Sequence, residues 1–199
     1  LERAPRAVVS FGQGCEGEPL MVGDLLVESV AAIRKRTRRG VINLNTNASR
    51  PAVLDRLFRA GLDSVRVSMN SARPDCYTRY FRPRGYGFDD VVESLRVARR
   101  HHAWASANVF AFPGFTDQPA EVDALSGLIR TTGLNMVQTR NLNMDPDWYV
   151  SELGLTEDEP GLGMREWLSR LRSAAPWLKV GYYNPPRRGM RRAHYARRP

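Results

Sequence analysis

The amino-acid sequence predicts an α/β protein built on a parallel sheet, and three observations carry that expectation. Short apolar or alternating runs of strand length recur five times, each followed by a helical pattern, at roughly 25 to 35 residue spacing. The helical patterns begin and end on recognisable stops, such as Pro51 at one start and Gly61 at its end. The residues that end the strand runs are small or amide-bearing, and strand ends are where parallel α/β folds bind ligands.

Taken in order, Ala7 to Phe11 is a short buried-type strand, and Ser10 to Met21 (SFGQGCEGEPLM) is the turn that follows it. Val22 to Arg36 carries Leu25, Leu26, Val30 and Ile33 at helical spacing. Val41 to Asn45 is the second strand and ends in Thr46-Asn47-Ala48-Ser49. A helix from Pro51 to about Ala60 leads to the third strand, Ser64 to Met69, which alternates through Val65, Val67 and Met69. Asn70 to Gly87 is expected as a long connection rich in Tyr and Arg, and long connections are often functional. A helix over Phe88 to His101, a strand over Trp104 to Phe112, a helix over Gln118 to Thr131 and a strand over Asn135 to Leu142 follow. Asp145 to Gly163 reads as a Pro-, Gly- and acid-rich loop, Met164 to Ala175 as an amphipathic helix, and Leu178 to Tyr183 as a candidate sixth strand.

A chain of 199 residues with 42% hydrophobic and 26% charged residues is expected to be one globular unit with a real core. No apolar run approaches the roughly 18 residues that would span a bilayer. The net charge of +9 is uneven: residues 187–199 hold six arginines and no acid, so that segment is expected to be a solvated basic tail. Cys15 and Cys76 are too few for a disulfide framework or a zinc site, which suits a reducing, cytoplasmic setting.

Gly12, Gly14 and Gly17 match the Gly-x-Gly-x-x-Gly pattern of a dinucleotide-binding turn. That pattern requires bare N–H groups facing an anion. Glu16 and Glu18 would instead set two carboxylates against the pyrophosphate, each like-charge contact costing about 4 kcal/mol at about 4 Å and an effective dielectric of about 20. Pro19 removes a donor, and no ribose-binding acid follows the next strand. A carboxylate on a glycine-supported turn suits a cation, and a ligand ammonium is a common small one.

At Glu16-Gly17-Glu18-Pro19-Leu20 the chain resembles radical S-adenosylmethionine enzymes, whose Gly-Gly-Glu-Pro motif this string matches with Glu16 in place of the first Gly. The resemblance runs from about Val8 to Pro146. It implies a partial (β/α)6 TIM-like barrel of parallel strands, with five strands here matching the second to sixth and the first strand and cluster loop missing. It divides the chain into a barrel core at 1–146, a C-terminal extension at 147–186 and the basic tail at 187–199. It implies that Gly17 and Glu18 bind the methionyl amino group of S-adenosylmethionine, that Asn45, Thr46 and Asn47 lie at its ribose, and that Ser68, with Asn70 nearby, and Arg82 hold its carboxylate. Phe110, Phe112, Asn141 and Leu142 fall near the adenine, while Asn108, Tyr80 and Tyr86 fall where substrate binds. The strand ends supply almost no acid, base or nucleophile, so no catalytic residue and no metal ligand is assigned; such a ring suits a cofactor that brings its own reactivity.

The family's Cys-x3-Cys-x2-Cys signature for a [4Fe-4S] cluster is absent from these residues, so cluster-dependent radical chemistry is expected only of a longer, complete protein. There the cluster and cofactor would yield a 5′-deoxyadenosyl radical that abstracts hydrogen from a small-molecule or peptide substrate, with electrons from an external donor. An alternative is a nucleic-acid-binding module that uses the arginine tail and the Tyr/Arg connection at 70–87. A nucleotide-binding oxidoreductase without a cluster is opposed by the acids in the glycine turn.

Overall fold

The order of the strands along the chain is also their order across the sheet. In this computed structural model, which describes residues 1, 4–14, 17–155, 160–186 and 190, the strands are β1 (Val8–Phe11), β2 (Val41–Thr46), β3 (Ser64–Met69), β4 (Trp104–Ala111), β5 (Met136–Asn141) and β6 (Lys179–Val180). Each pairs in parallel with the next, giving one open six-stranded sheet in the order β1-β2-β3-β4-β5-β6. Parallel neighbours need crossover connections, supplied by α1 (Gly23–Arg36), α2 (Pro51–Ala60), α4 (Phe88–Arg100), α5 (Pro119–Thr132) and α7 (Met164–Ala174). Because crossovers are right-handed and the order never reverses, the crossover helices must lie on one face of the sheet. This is the partial TIM-type barrel.

That asymmetry explains the alternation in the strands. Ile42, Leu44, Val65, Val67, Ala107, Val109 and Val137 belong to one buried core with helix residues such as Leu26, Val30, Leu54, Leu57, Leu95, Val122 and Ile129. The intervening strand residues face the other side, which no crossover helix covers. They are Ser10 beside Asn43 and Ser64, then Asn45 beside Arg66 and Ser106, then Ser68 beside Asn108 and Gln138, and finally Phe110 beside Arg140. The consequence is an inner face rich in amides, hydroxyls and guanidinium groups, which Val8, Val41, Trp104, Met136 and Phe110 share. Helix ends follow local chemistry: Pro occupies the first turn of α2 and α5, and left-handed Gly61 and Gly133 close them.

The structure adds two helices where the sequence suggested irregular chain. Pro74–Phe81 forms α3 inside the 70–87 connection, and Pro146–Leu153 forms α6 inside the expected 145–163 loop. Both begin on Pro, and α6 is capped by Asp145, whose Oδ1 accepts from Trp148 N at 2.9 Å. They pack on each other through a small second core of Cys76, Phe115, Tyr149 and Leu153. The candidate sixth strand shrinks to Lys179–Val180, because the chain then turns across the inner face. There Asn184 Oδ1 accepts from Arg66 at 2.6 Å, Tyr183 O accepts from Gln138 at 2.8 Å, and the Tyr182 ring lies 5.3 Å from the Arg66 guanidinium. No described helix is long and apolar enough to cross a membrane. The basic tail at 187–199 lies outside the described residues except for Met190.

The turn after β1 requires glycine at one position in particular. Gly12 has φ +76°, and a Cβ there would collide with the carbonyl oxygen of Asn45, whereas one on Gly14 would meet nothing within 4 Å. Gly12→Ala is expected to lower unfolding free energy by at least about 2 kcal/mol, and Gly14→Ala to change it by less than about 0.5 kcal/mol, as read from urea unfolding. Equal effects of the two substitutions would mean that the turn does not depend on this close approach.

Candidate active site

The end of β1 and the end of β2 are joined through one carboxylate. Glu18 caps the single 3-10 turn Pro19–Val22, its Oε1 accepting from Leu20 N at 3.0 Å. The same oxygen accepts from Thr46 Oγ1 at 2.5 Å, and Oε2 accepts from Asn47 N at 2.7 Å. Glu18 is therefore half-buried and fixed in orientation at the C-terminal ends of the strands. An ionised carboxylate has about four acceptor positions. Three are filled, so Glu18 retains capacity for a further donor. The Thr46 hydroxyl also accepts from Ala48 N at 2.9 Å, which holds Ala48 at φ +59°.

Beneath Glu18 a ladder of amides ties the first three strands on the inner face. Asn43 Nδ2 donates to Ser10 Oγ at 2.7 Å and to Asn45 Oδ1 at 3.0 Å, and Ser64 Oγ donates to Asn43 Oδ1 at 2.8 Å. Asn45 Nδ2 donates to Gly12 O at 3.0 Å, closing the turn from the β2 side. Asn47 spends its side-chain oxygen on Ser49 N. Asn45 and Thr46 are thus engaged with the protein itself, so either would reach a ligand through the residues it positions.

Farther across the sheet, Ser68, Asn108 and Gln138 are side by side on β3, β4 and β5. Asn108 Oδ1 and Gln138 Oε1 are buried and have no hydrogen-bond partner among the described residues, although an unsatisfied buried acceptor costs about 1–3 kcal/mol. One layer above, Phe110 lies beside Arg140, whose guanidinium is 5.9 Å from the ring, and Tyr80 meets Phe110 edge-on at 5.8 Å. Burial raises the pKa of the Tyr80 hydroxyl above the usual phenol range, and the charge of Arg140 opposes that rise. Tyr80, Phe110 and Phe112 all meet the ring of Tyr149 on α6.

The remaining sequence-derived positions are dispersed around this cluster. Gly17 (φ +75°) opens onto empty space. Asn70 is buried and donates to Cys76 O at 3.1 Å, its own oxygen unpartnered. Arg82 closes α3 in a left-handed conformation and pairs with Glu152 of α6. Phe112 and Leu142 pack on the second core, Asn141 is exposed, and Tyr86 packs on the main core. Cys76 is buried, and burial pushes its thiol up to about 11, the opposite of a metal-ligating thiolate. Cys15 and Glu16 lie outside the described residues. Among the described residues no group of three His, Cys, Asp or Glu could hold a metal ion. His101, which follows α4, bonds Asp55 at 2.7 Å and stacks on Phe58. Arg66, Gln138 and Arg140 were not singled out by their type; their shared face follows only from alternation along β3 and β5.

Residues 2–125 match the family model described as the radical SAM superfamily. No curated protein sequence matches the chain. Among solved structures, the chain is similar to a domain of pyruvate-formate lyase-activating enzyme from Bacteroides vulgatus ATCC 8482, with a TM-score of 0.62 at 9% identity, covering 87% of this chain and 98% of that one. It is also similar to methylornithine synthase, at 0.55 and 16% identity over 79% of this chain and 44% of that one. The FeFe-hydrogenase maturase HydG from Carboxydothermus hydrogenoformans scores 0.57 at 14% identity over 94% of this chain and 44% of that one. The chain therefore spans nearly all of the first of these but less than half of the other two. At such identities these likenesses show the fold.

A second buried carboxylate, Glu121, anchors α5 under the loop after β3. It accepts from Ser71 Oγ at 2.8 Å, and Arg73 Nε lies 3.8 Å away. Burial outweighs both partners and pushes Glu121 up to about 7. A carboxyl raised in the folded state binds more protons there than in the unfolded chain, so stability should fall as pH rises from about 4.5 to about 7. The loss expected across that window is on the order of 3 kcal/mol, and Glu121→Gln should remove it. Urea midpoints measured from pH 4.5 to 8 check this; identical profiles for both proteins would contradict it.

Proposed function

The chain belongs to the radical SAM superfamily, and on that premise we propose that the strand ends of its sheet hold S-adenosylmethionine, with Glu18 receiving the methionyl ammonium. The observation that carries this reading is the fixation of Glu18 by Leu20 N, the Thr46 hydroxyl and Asn47 N. A carboxylate already oriented loses little entropy when it meets a cation, and a charge-assisted hydrogen bond of this kind contributes about 1.5–3 kcal/mol. Gly17 leaves room beside it. Asn45, Thr46 and Asn47 set the surface toward the ribose, Thr46 and Asn45 by positioning Glu18 and the β1 turn. Ser68, with Asn70 behind it, and Arg82, exchanging its pairing with Glu152 for the ligand, suit the carboxylate. Phe110, Phe112, Asn141 and Leu142 suit the adenine edge. Substrate is assigned to the inner face, near Asn108 and Tyr80, with Tyr86 supporting from the core.

Together with a [4Fe-4S] cluster, S-adenosylmethionine supplies hydrogen abstraction through a 5′-deoxyadenosyl radical in this family. Nothing among the described residues fits such a cluster, so what is proposed for this chain's own residues is binding and orientation of the cofactor and substrate. An external electron donor and a small-molecule or peptide substrate complete the reaction class.

Equilibrium dialysis with labelled S-adenosylmethionine tests the assignment. Glu18→Gln keeps the shape and removes the charge, and it should weaken binding by about 10- to 100-fold, the equivalent of about 1.4–3 kcal/mol. Glu166→Gln, on the exposed side of α7, should have no effect. Equal affinity of the Glu18→Gln and parent proteins, with both folded by circular dichroism, would overturn the role of Glu18.

A further inference from the structure

We infer that the inner face of the sheet is an anion-recognition site, and that the substrate carries a carboxylate or phosphate bound by Arg140 with an N–H or O–H donor directed at Asn108. This rests on the reading of the strand ends as the place of the cofactor and names the chemistry of what lies beside it.

Charge is the first argument. The inner-face positions of β1 to β5 carry two guanidinium groups, Arg66 and Arg140, and no Asp or Glu. Both are half-buried, and neither belongs to an ion pair among the described residues, where arginines elsewhere commonly pair. Arg66 leans on the neutral side chain of Asn184 and on the Tyr182 ring, with its Nε left unpartnered. Among the described residues, Arg140 has the Phe110 ring and the neighbouring Tyr80 beside it. Burial lowers the pKa of Arg66, Tyr182 opposes that shift, and the like charge of Arg140 adds a smaller lowering, the sign of repulsion between the two groups across the face. Such a pair on a partly desolvated face attracts an anion more strongly than either group would in water.

The second argument is independent of charge. Asn108 Oδ1 and Gln138 Oε1, on neighbouring strands in the layer between the two arginines, are buried acceptors without donors among the described residues, and Gln138 is fully buried. Native structures satisfy such groups by protein, water or ligand. A ligand with an anionic group at Arg140 and a polar hydrogen at Asn108 would supply both missing interactions. The two guanidinium charges oppose a simple cationic substrate, and the unfilled acceptors oppose a purely hydrocarbon one. Arg140 presents a planar fork suited to either a carboxylate or a phosphate.

The experiment is a titration of the folded chain, with arginine Nε–H signals followed by 15N NMR. Sodium acetate and inorganic phosphate serve as separate probes and methylammonium chloride as the cationic control, at constant ionic strength. The expected result is a saturable shift of the Arg140 signal with acetate or phosphate and none with methylammonium; the stronger of the two anions identifies the substrate group. Arg140→Gln should weaken that binding at least tenfold, Arg140→Lys should retain part of it, and Arg172→Gln on the exposed side of α7 should change nothing. Equal anion affinity in Arg140→Gln, or a response to methylammonium alone, would overturn the inference. Repeating the titration with saturating S-adenosylmethionine separates the two claims. Anion binding that persists beside the cofactor supports a substrate site, and competition between them would assign Arg140 to the cofactor carboxylate and overturn the substrate claim. Anion binding in a chain that fails to bind S-adenosylmethionine would leave the anion site standing and remove the cofactor reading.

Discussion

The contact on which the site depends is the hydrogen-bonded carboxylate of Glu18, which ties the turn after β1 to the end of β2. Its partners come from three places: the backbone of the turn at Leu20, the hydroxyl of Thr46, and the backbone of Asn47. From the other side, Asn45 donates to Gly12 O, and Gly12 lacks the Cβ that would prevent the approach. Turn and strand therefore hold each other, and a charge that water would otherwise solvate is kept at the mouth of the sheet. A mobile carboxylate would have to be ordered when a ligand arrives; this one is ordered beforehand.

The second constraint is topological. A sheet whose strand order never reverses has a face without crossover helices, and that face can carry polar groups without breaking the core. Most hydrophobic residues of β2 to β5 are spent on the helix side, while asparagines, serines and arginines line the other together with Val41, Trp104, Met136 and Phe110. The segment after β6 covers the N-terminal half of this face through Tyr183 and Asn184, and α3 with α6 borders the C-terminal half through Tyr80 and Tyr149. Between them lie Ser68, Asn108, Phe110 and Arg140. Fold and site share one origin: the alternation that builds the core also builds the polar face.

The alternation of strands and helices was legible in the sequence because each element carries its own period and punctuation. Ser64–Met69 alternates cleanly, and Pro51 and Gly61 frame α2. The helices α3 and α6 were hidden. They are only eight residues each, and their Pro and acidic flanks, which start them, are also the mark of loops. The position of Glu18 beside Asn47 followed from the motif string, but its bond to the Thr46 hydroxyl did not, since a β-branched residue ending a strand is usually there for packing. Arg66 and Arg140 were illegible as a pair, because β3 and β5 are separated by β4 and only the register reveals that they share a face. Within the 70–87 connection, Tyr77 is fully buried and stacks on Phe81, while Tyr80 meets Phe81 edge-on, contacts that follow from α3 and not from the Tyr and Arg content.

The most direct test of the account follows the Asn47 amide, which reports on Glu18 without altering it. In a 15N–1H correlation spectrum, addition of S-adenosylmethionine should move the Asn47 and Leu20 amide signals in a saturable way, more than those of the buried β3 amides Val65 and Val67, because the ammonium draws on the carboxylate that both amides share. An Asn47 signal that stays fixed at saturating cofactor, while signals elsewhere on the chain move, would show that the ligand binds somewhere other than the end of β1.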